Sequence, residues 1–232
     1  MTDGRPARSD MVVMFDVDNT LLDNDAVRAM LEERLTGAVG PACAARFWEL
    51  YEEVRRETEL VNFPETVHRL ARDFGEQAET VRLLLDEFPY SEVVYADSLK
   101  ALAHAASFAT PVIVSDGDEV FQLSKIRRAG LEEAVNGNIL LFVHKETSLG
   151  DVQAAFPAAH YVMVDDKPRI QAAVKAALGD RVTTVLVCQG KYAHDPAHHD
   201  LLPLPDLEIE GIGGLLGLTA EDLRAAAAVR GT

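Results

Sequence analysis

The 232-residue sequence has only two cysteines, Cys43 and Cys188, far apart in the chain. That rules against a disulfide framework and leaves two reduced thiols as the expected state. Positive charge is also scarce: 22 Lys and Arg stand against 38 Asp and Glu, a formal net charge of −16. This balance argues against a nucleic-acid partner or a role at an anionic membrane surface, both of which call for a basic face. No apolar run is long enough to cross a bilayer. Met1 to Asp10 is polar with no apolar stretch, so no signal peptide is expected there and a cytoplasmic location is the default. Internal repeats and low-complexity segments are missing as well. What the chain does have is 48% apolar residues, enough for a sizeable core in one large domain or two small ones.

Strand signals fall near 11–15, 111–114, 139–143, 161–164 and 183–187, with a weaker one near 207–210. Helical patterns separate most of them, at about 97–108, 118–129, 148–156 and 168–178. This alternation predicts an α/β fold, a Rossmann-like, doubly wound parallel sheet with helices on both faces. Thr219 to Val229 reads as a final helix, with Thr219 as N-cap and Asp222 completing the cap. From Asn24 to Val94 there is no strand signal. Helices are expected at Asp25 to Leu35, Cys43 to Thr58, Thr66 to Phe74 and Ala78 to Leu85. Asn62 to Thr66 is read as an interruption between two of them.

The chemistry gathers at strand ends, where open parallel sheets bind their ligands. Met11 to Phe15 is an apolar run of the kind buried on both faces, and it leads directly into Asp16-Val17-Asp18-Asn19-Thr20. Two carboxylates that close repel unless a cation lies between them, and oxygen ligands suit Mg²⁺. The plainer alternative makes Asp16 a strand terminator and Asp18-Asn19 a turn. A second apolar strand ends in Ser115-Asp116-Gly117, a hydroxyl in a glycine turn. It could hold a phosphoryl oxygen or simply open the turn. Lys145 follows the strand Ile139 to Val143; its competitor Lys125 is assigned to a solvated helix face. The strand Tyr161 to Val164 ends in Asp165-Asp166-Lys167-Pro168, with Pro168 opening a helix and Asp165 a candidate cap for it.

These four motifs, in this order and each at a strand end, resemble the haloacid dehalogenase superfamily, most of whose members are phosphatases; the likeness spans about residues 11 to 190. The resemblance implies Asp16 as nucleophile, Asp18 as general acid and base, and Ser115 and Lys145 as holders of the transferring oxygens. It implies Mg²⁺ held by Asp16, Asp166, the backbone carbonyl of Asp18 and, by the family's double-aspartate variant, Asp165. Thr20 is expected to fix the turn that aims Asp18, with Asn19 structural beside it. The all-helical stretch resembles the superfamily's smaller helical cap, inserted after the first strand. The expected division is therefore a core of residues 1–23 and 95–232 and a cap of residues 24–94. The superfamily's dehalogenases lack an acid at the position of Asp18, because a halide leaves without a proton.

The expected function is Mg²⁺-dependent hydrolysis of a small phosphorylated metabolite by a monomer or homodimer. A phosphotransferase or mutase on the same scaffold, and a non-catalytic binding protein, remain as alternatives. Arg55, Arg56, His68 and Arg69 are candidate substrate contacts on the cap, although a solvated helix face explains the arginines equally well. Phe47 and Trp48 are read as cap core rather than a stacking platform. His194, His198 and His199, near Asp195 and Asp200, could suit a transition metal but are read as a polar loop.

Overall fold

The computed structural model describes residues 9–193 and 201–229. The histidine cluster at 194–200 lies outside the described residues. The expected fold is present as a six-stranded, all-parallel sheet in the order β3-β2-β1-β4-β5-β6. The strands are β1 (Ser9–Phe15), β2 (Thr110–Asp116), β3 (Ile139–Phe142), β4 (Ala158–Asp165), β5 (Val182–Val187) and β6 (Leu207–Ile209). The chain runs from β1 outward through β2 and β3, then returns to the other side of β1 for β4, β5 and β6. The order therefore reverses between β1 and β4, and a crevice opens there beyond the carboxyl ends of the strands.

The strands alternate faces with a period of two residues. In β1, Val12 and Met14 join the cluster that packs on α7 (Leu149–Ala155) and α8 (Pro168–Leu178). Met11, Val13 and Phe15 face the other way, with α4 (Ser98–Ala106), α5 (Glu119–Arg128) and α10 (Ala220–Val229). All five are essentially inaccessible to water. That explains the unbroken apolar run: a central strand covered on both faces has no position for a polar side chain. Two further helices are short: α6 (Leu131–Ala134) precedes β3, and α9 (Gly190–Ala193) follows β5. At α10, Thr219 N–H donates to Asp222 Oδ2 at 2.9 Å and Asp222 N–H returns to Thr219 Oγ1 at 3.2 Å, the reciprocal cap read from the sequence.

Between β1 and β2 the chain is helical: α1 (Asn24–Thr58), α2 (Phe63–Phe74) and α3 (Glu76–Asp86) pack against one another. α1 is broken at Gly40, whose φ of 80° and ψ of 162° leave the helix just before Pro41. The expected interruption at Asn62 to Thr66 is displaced. Asn62 accepts from Glu65 N–H at 3.0 Å as an N-cap, and Phe63 and Pro64 already belong to α2. Pro64 has no N–H to lose in the first turn, so it opens this helix rather than breaking it. The two ends of the helical stretch run side by side. Asp23 N–H donates to Val93 O at 2.8 Å, and Tyr95 N–H to Leu21 O at 3.1 Å.

Candidate active site

Asp16 leaves the end of β1 and is tied to β4 by its N–H, which donates to Val164 O at 3.0 Å. Asp165, the last residue of β4, and Asp166 sit across the crevice. One carboxylate oxygen from each of Asp16, Asp165 and Asp166 lies within 4.8 Å of the others, and all three residues are buried. Asp16 Oδ2 and both oxygens of Asp166 have no hydrogen-bond partner. Bare buried carboxylate oxygens are costly unless a proton or a cation meets them. The Asp166 carboxyl is accordingly pushed up to about 9, first by burial and then by the neighbouring charges of Asp165 and Asp16. Three clustered carboxylates, two of them with unpartnered oxygens, fit a hard divalent cation.

Lys145 enters from the turn after β3. Its ammonium forms ion pairs with Asp16 Oδ1 and, at 2.6 Å, with Asp165 Oδ2. Burial works against that charge, yet the two aspartates outweigh it and hold the lysine above its ordinary value. Burial likewise opposes the charge on Asp16, but Lys145 and Lys167 together keep it below the usual carboxylate range. The Lys145 backbone is fixed in turn, its N–H donating to Asp116 Oδ1 at 2.8 Å. Asp165 does not cap α8. Its Oδ1 accepts from Lys167 N–H at 2.8 Å, a turn ahead of the helix, and its other oxygen serves Lys145.

The Asp18 carboxylate points away from this triad. Lys125 Nζ meets Oδ1 at 2.5 Å, and Gln122 Nε2 donates to Oδ2 at 3.2 Å and to Ser115 Oγ at 2.9 Å. This corrects the reading of Lys125 as a solvated lysine: it is 3% exposed and faces the site. Gln122 and Lys167 were also missed. Lys167 Nζ lies 3.9 Å from Asp16 Oδ2. Thr20 does not fix the Asp18 turn through its side chain, because its hydroxyl has no partner. Asn19 does so instead. At φ 61° its Oδ1 accepts from Asn24 N–H at 2.9 Å. Gln189, after β5, adds Nε2 bonds to Asn19 O at 3.2 Å and Thr20 O at 2.8 Å. Gly190, with φ +73°, lies so close that a Cβ there would fall 2.4 Å from Asn19 Cβ.

A cavity of about 190 Å³ opens beside Asp18, lined by Arg28, Trp48, Tyr51, Arg55, Lys167 and Lys191 among others. Phe47 is core as expected, but Trp48 is half-buried on this wall with the Arg28 guanidinium 3.7 Å above its ring. Of the four polar cap candidates, Arg55 reaches the cavity. Arg69 is held by Glu57 and Glu65 at 2.7 Å each, and His68 lies 3.4 Å from Arg72. Arg56 is exposed and does not line the cavity.

No protein-family model and no curated protein matches the sequence. Among solved structures, a haloacid dehalogenase-like hydrolase from Burkholderia xenovorans LB400 is 42% identical. The match covers 92% of this chain and 98% of that one, with a TM-score of 0.84. The chain belongs to the haloacid dehalogenase-like hydrolases. Two more distant structures share the haloacid dehalogenase-like fold. A HAD-hydrolase from Bacillus subtilis, bound to magnesium, has 17% identity over 91% of this chain and 100% of that one, with a TM-score of 0.60. The L-2-haloacid dehalogenase of Xanthobacter autotrophicus, with chloropropionic acid covalently bound, has 18% identity over 89% and 97%, with a TM-score of 0.55. In this hydrolase, among the described residues, no helix is long and apolar enough to cross a membrane.

Proposed function

We propose that this hydrolase is a Mg²⁺-dependent phosphatase that releases phosphate from a small phosphorylated metabolite through an aspartyl-phosphate on Asp16. The observation that carries the proposal is the pairing of two acidic stations two residues apart. Asp16 sits in a buried carboxylate triad, and Asp18 stands beside it on a separate hydrogen-bonded perch. A dehalogenase has a use for the first and none for the second.

Asp16, Asp165, Asp166 and the backbone carbonyl of Asp18 would hold Mg²⁺, which supplies positive charge between the nucleophile and the phosphoryl oxygens. Asp16 attacks phosphorus, the ester P–O bond breaks, and its electron pair leaves with the alcohol oxygen. Asp18 gives that oxygen a proton. Water then attacks the phosphorus of the aspartyl-phosphate while Asp18 takes its proton, and phosphate and free Asp16 are restored. Lys145, fixed before substrate arrives, offsets charge on the transferring oxygens, and Ser115 offers its hydroxyl to one of them. The helices of residues 24–94 serve as the cap that excludes water and shapes the metabolite cavity. A cytoplasmic monomer or homodimer acting on free metabolites suits the −16 charge.

The direct test is phosphate release from p-nitrophenyl phosphate with Mg²⁺. Activity should vanish on exhaustive chelation and return with the metal. Full activity after chelation would overturn the proposal, as would chloride release from 2-chloropropionate without any phosphatase activity.

A second expectation concerns pH. With its carboxyl pushed up to about 9, Asp166 binds a proton more tightly in the metal-free folded protein than in the unfolded chain. Its contribution to metal-free stability is therefore lost as pH rises from the ordinary carboxylate range toward about 9. Mg²⁺ must displace that proton, so apparent affinity should rise by up to about tenfold per pH unit below about pH 9. In thermal scans the Mg²⁺-induced increase in Tm should grow from about pH 6 to about pH 9. An increase that stays flat over that range would count against Asp166 as a ligand.

A further inference from the structure

A groove of about 570 Å³ lies between α2, α3 and α5, beside the site but outside the chemistry described above. Its volume falls in the range of small-molecule sites. Phe63, Pro64, Val67, Leu85, Val120 and Phe121 make its apolar walls. The groove adjoins the reacting centre: Phe63, Tyr90, Asp118 and Phe121 line both it and the small pocket of about 80 Å³ that reaches Asp18, Gly117 and Lys125. Phe63 and Phe121 stand edge to face between the two, ring centroids 4.7 Å apart.

The charged groups around the groove are already engaged. Arg82 is paired with Glu79 and Asp86. Arg128 donates to Phe88 O at 2.6 Å and Leu85 O at 3.5 Å. Asp118 accepts from Phe121 N–H at 2.9 Å as the cap of α5. Arg82 is answered by carboxylates and Arg128 is turned onto backbone carbonyls, while Asp86 and Asp118 would repel a second anion. One buried polar group is left over. Tyr90 is 2% exposed, and its hydroxyl has no hydrogen-bond partner. Burial holds that phenol well above its ordinary value, so it keeps its proton and has a bond to donate.

We infer that the groove receives the alcohol portion of the substrate, an uncharged apolar body of at least one aromatic ring that carries a hydrogen-bond acceptor for Tyr90. This inference rests on the phosphatase proposal and adds the substrate class to it: phosphate monoesters of apolar alcohols, in preference to compact polyhydroxylated ones.

The test compares 2-(methoxynaphthyl)ethyl phosphate, whose methoxy oxygen is an acceptor for Tyr90, with glycerol 1-phosphate, a compact polyhydroxylated primary alkyl ester, by phosphate release from the full-length protein with Mg²⁺. The naphthyl ester should be preferred in kcat/KM by about tenfold or more. Val67→Glu, which places a charge in the groove, should bring that ratio toward one. Leu83→Glu, at an exposed apolar position on α3 outside the groove, should leave the ratio alone. Equal use of the two esters, or a preference that survives Val67→Glu, would overturn the inference while leaving phosphatase activity standing. If neither ester nor an aryl phosphate is turned over, the phosphatase proposal fails on its own. The groove is then judged by calorimetric binding of 2-(methoxynaphthyl)ethanol: binding that Val67→Glu abolishes upholds an apolar ligand site, and no binding overturns it.

Discussion

Asp16→Asn should abolish phosphate release, by at least about a thousandfold, without unfolding the protein. An amide is no nucleophile toward phosphorus, and no other carboxylate can take its place. Asp165 is held by Lys145 and by Lys167 N–H, and Asp18 is turned toward Lys125 and Gln122. The stability outcome follows from the same geometry. Losing the Asp16 charge removes one partner of the buried Lys145, but that ammonium keeps Asp165 at 2.6 Å. It also relieves the repulsion that Asp16 exerts on Asp165 and Asp166. The metal-free variant should therefore melt close to the parent, and its gain in Tm from Mg²⁺ should shrink. Circular dichroism and thermal scans with and without the metal check both points. Turnover near that of the parent would remove Asp16 from the role of nucleophile.

The parts of this site that could be read from the sequence share one property: each stands at the end of an apolar strand. Asp16, Ser115 and Asp165 each follow a run of at least three apolar residues, so the first polar residue marks where the chain leaves the core. Lys145 and Asp166 follow within a few residues of such an end. The residues that were missed reach the site from helices and loops. Lys125 is separated from Asp18 by 107 positions, and a charged residue on a helix usually means a solvated face. A signal was present all the same. Gln122, Lys125, Ile126 and Ala129 repeat at helical spacing, and all four are buried. Two polar residues on the stripe that faces the core need polar partners there, and Asp18 and Ser115 supply them. The apolar sequence of β1 could not reveal the Asn19 clamp, because Gln189 and Gly190 arrive from beyond β5 and meet the turn only once the sheet is assembled. In the helical stretch, the gap expected between Leu35 and Cys43 falls on Gly40-Pro41, where α1 breaks, whereas Pro64 looked like a second break and is in fact the opening of α2.

Asp18→Asn should trap the reaction halfway. With p-nitrophenyl phosphate the leaving group departs without much need of a proton, so Asp16 should still be phosphorylated. The second step then lacks its base, and turnover should fall by about 10²–10⁴. Intact-mass measurement after mixing should show one phosphoryl group per chain, and peptide mapping should place it on Asp16. The substitution has a structural side effect that must be separated from the chemical one. Lys125 loses its carboxylate partner while staying buried, and breaking a buried pair by one member costs about 3–5 kcal/mol, less here because the Asp18 side chain is 27% exposed. The double variant Asp18→Asn/Lys125→Met removes the stranded ammonium and should recover part of the lost Tm. It cannot recover the base, so if Asp18 acts by proton transfer the double variant should still accumulate phosphorylated protein. If it instead turned over freely with no covalent phosphate, Asp18 would matter only as the counter-charge of Lys125, and the acid and base of the reaction would have to be sought elsewhere on the cavity wall.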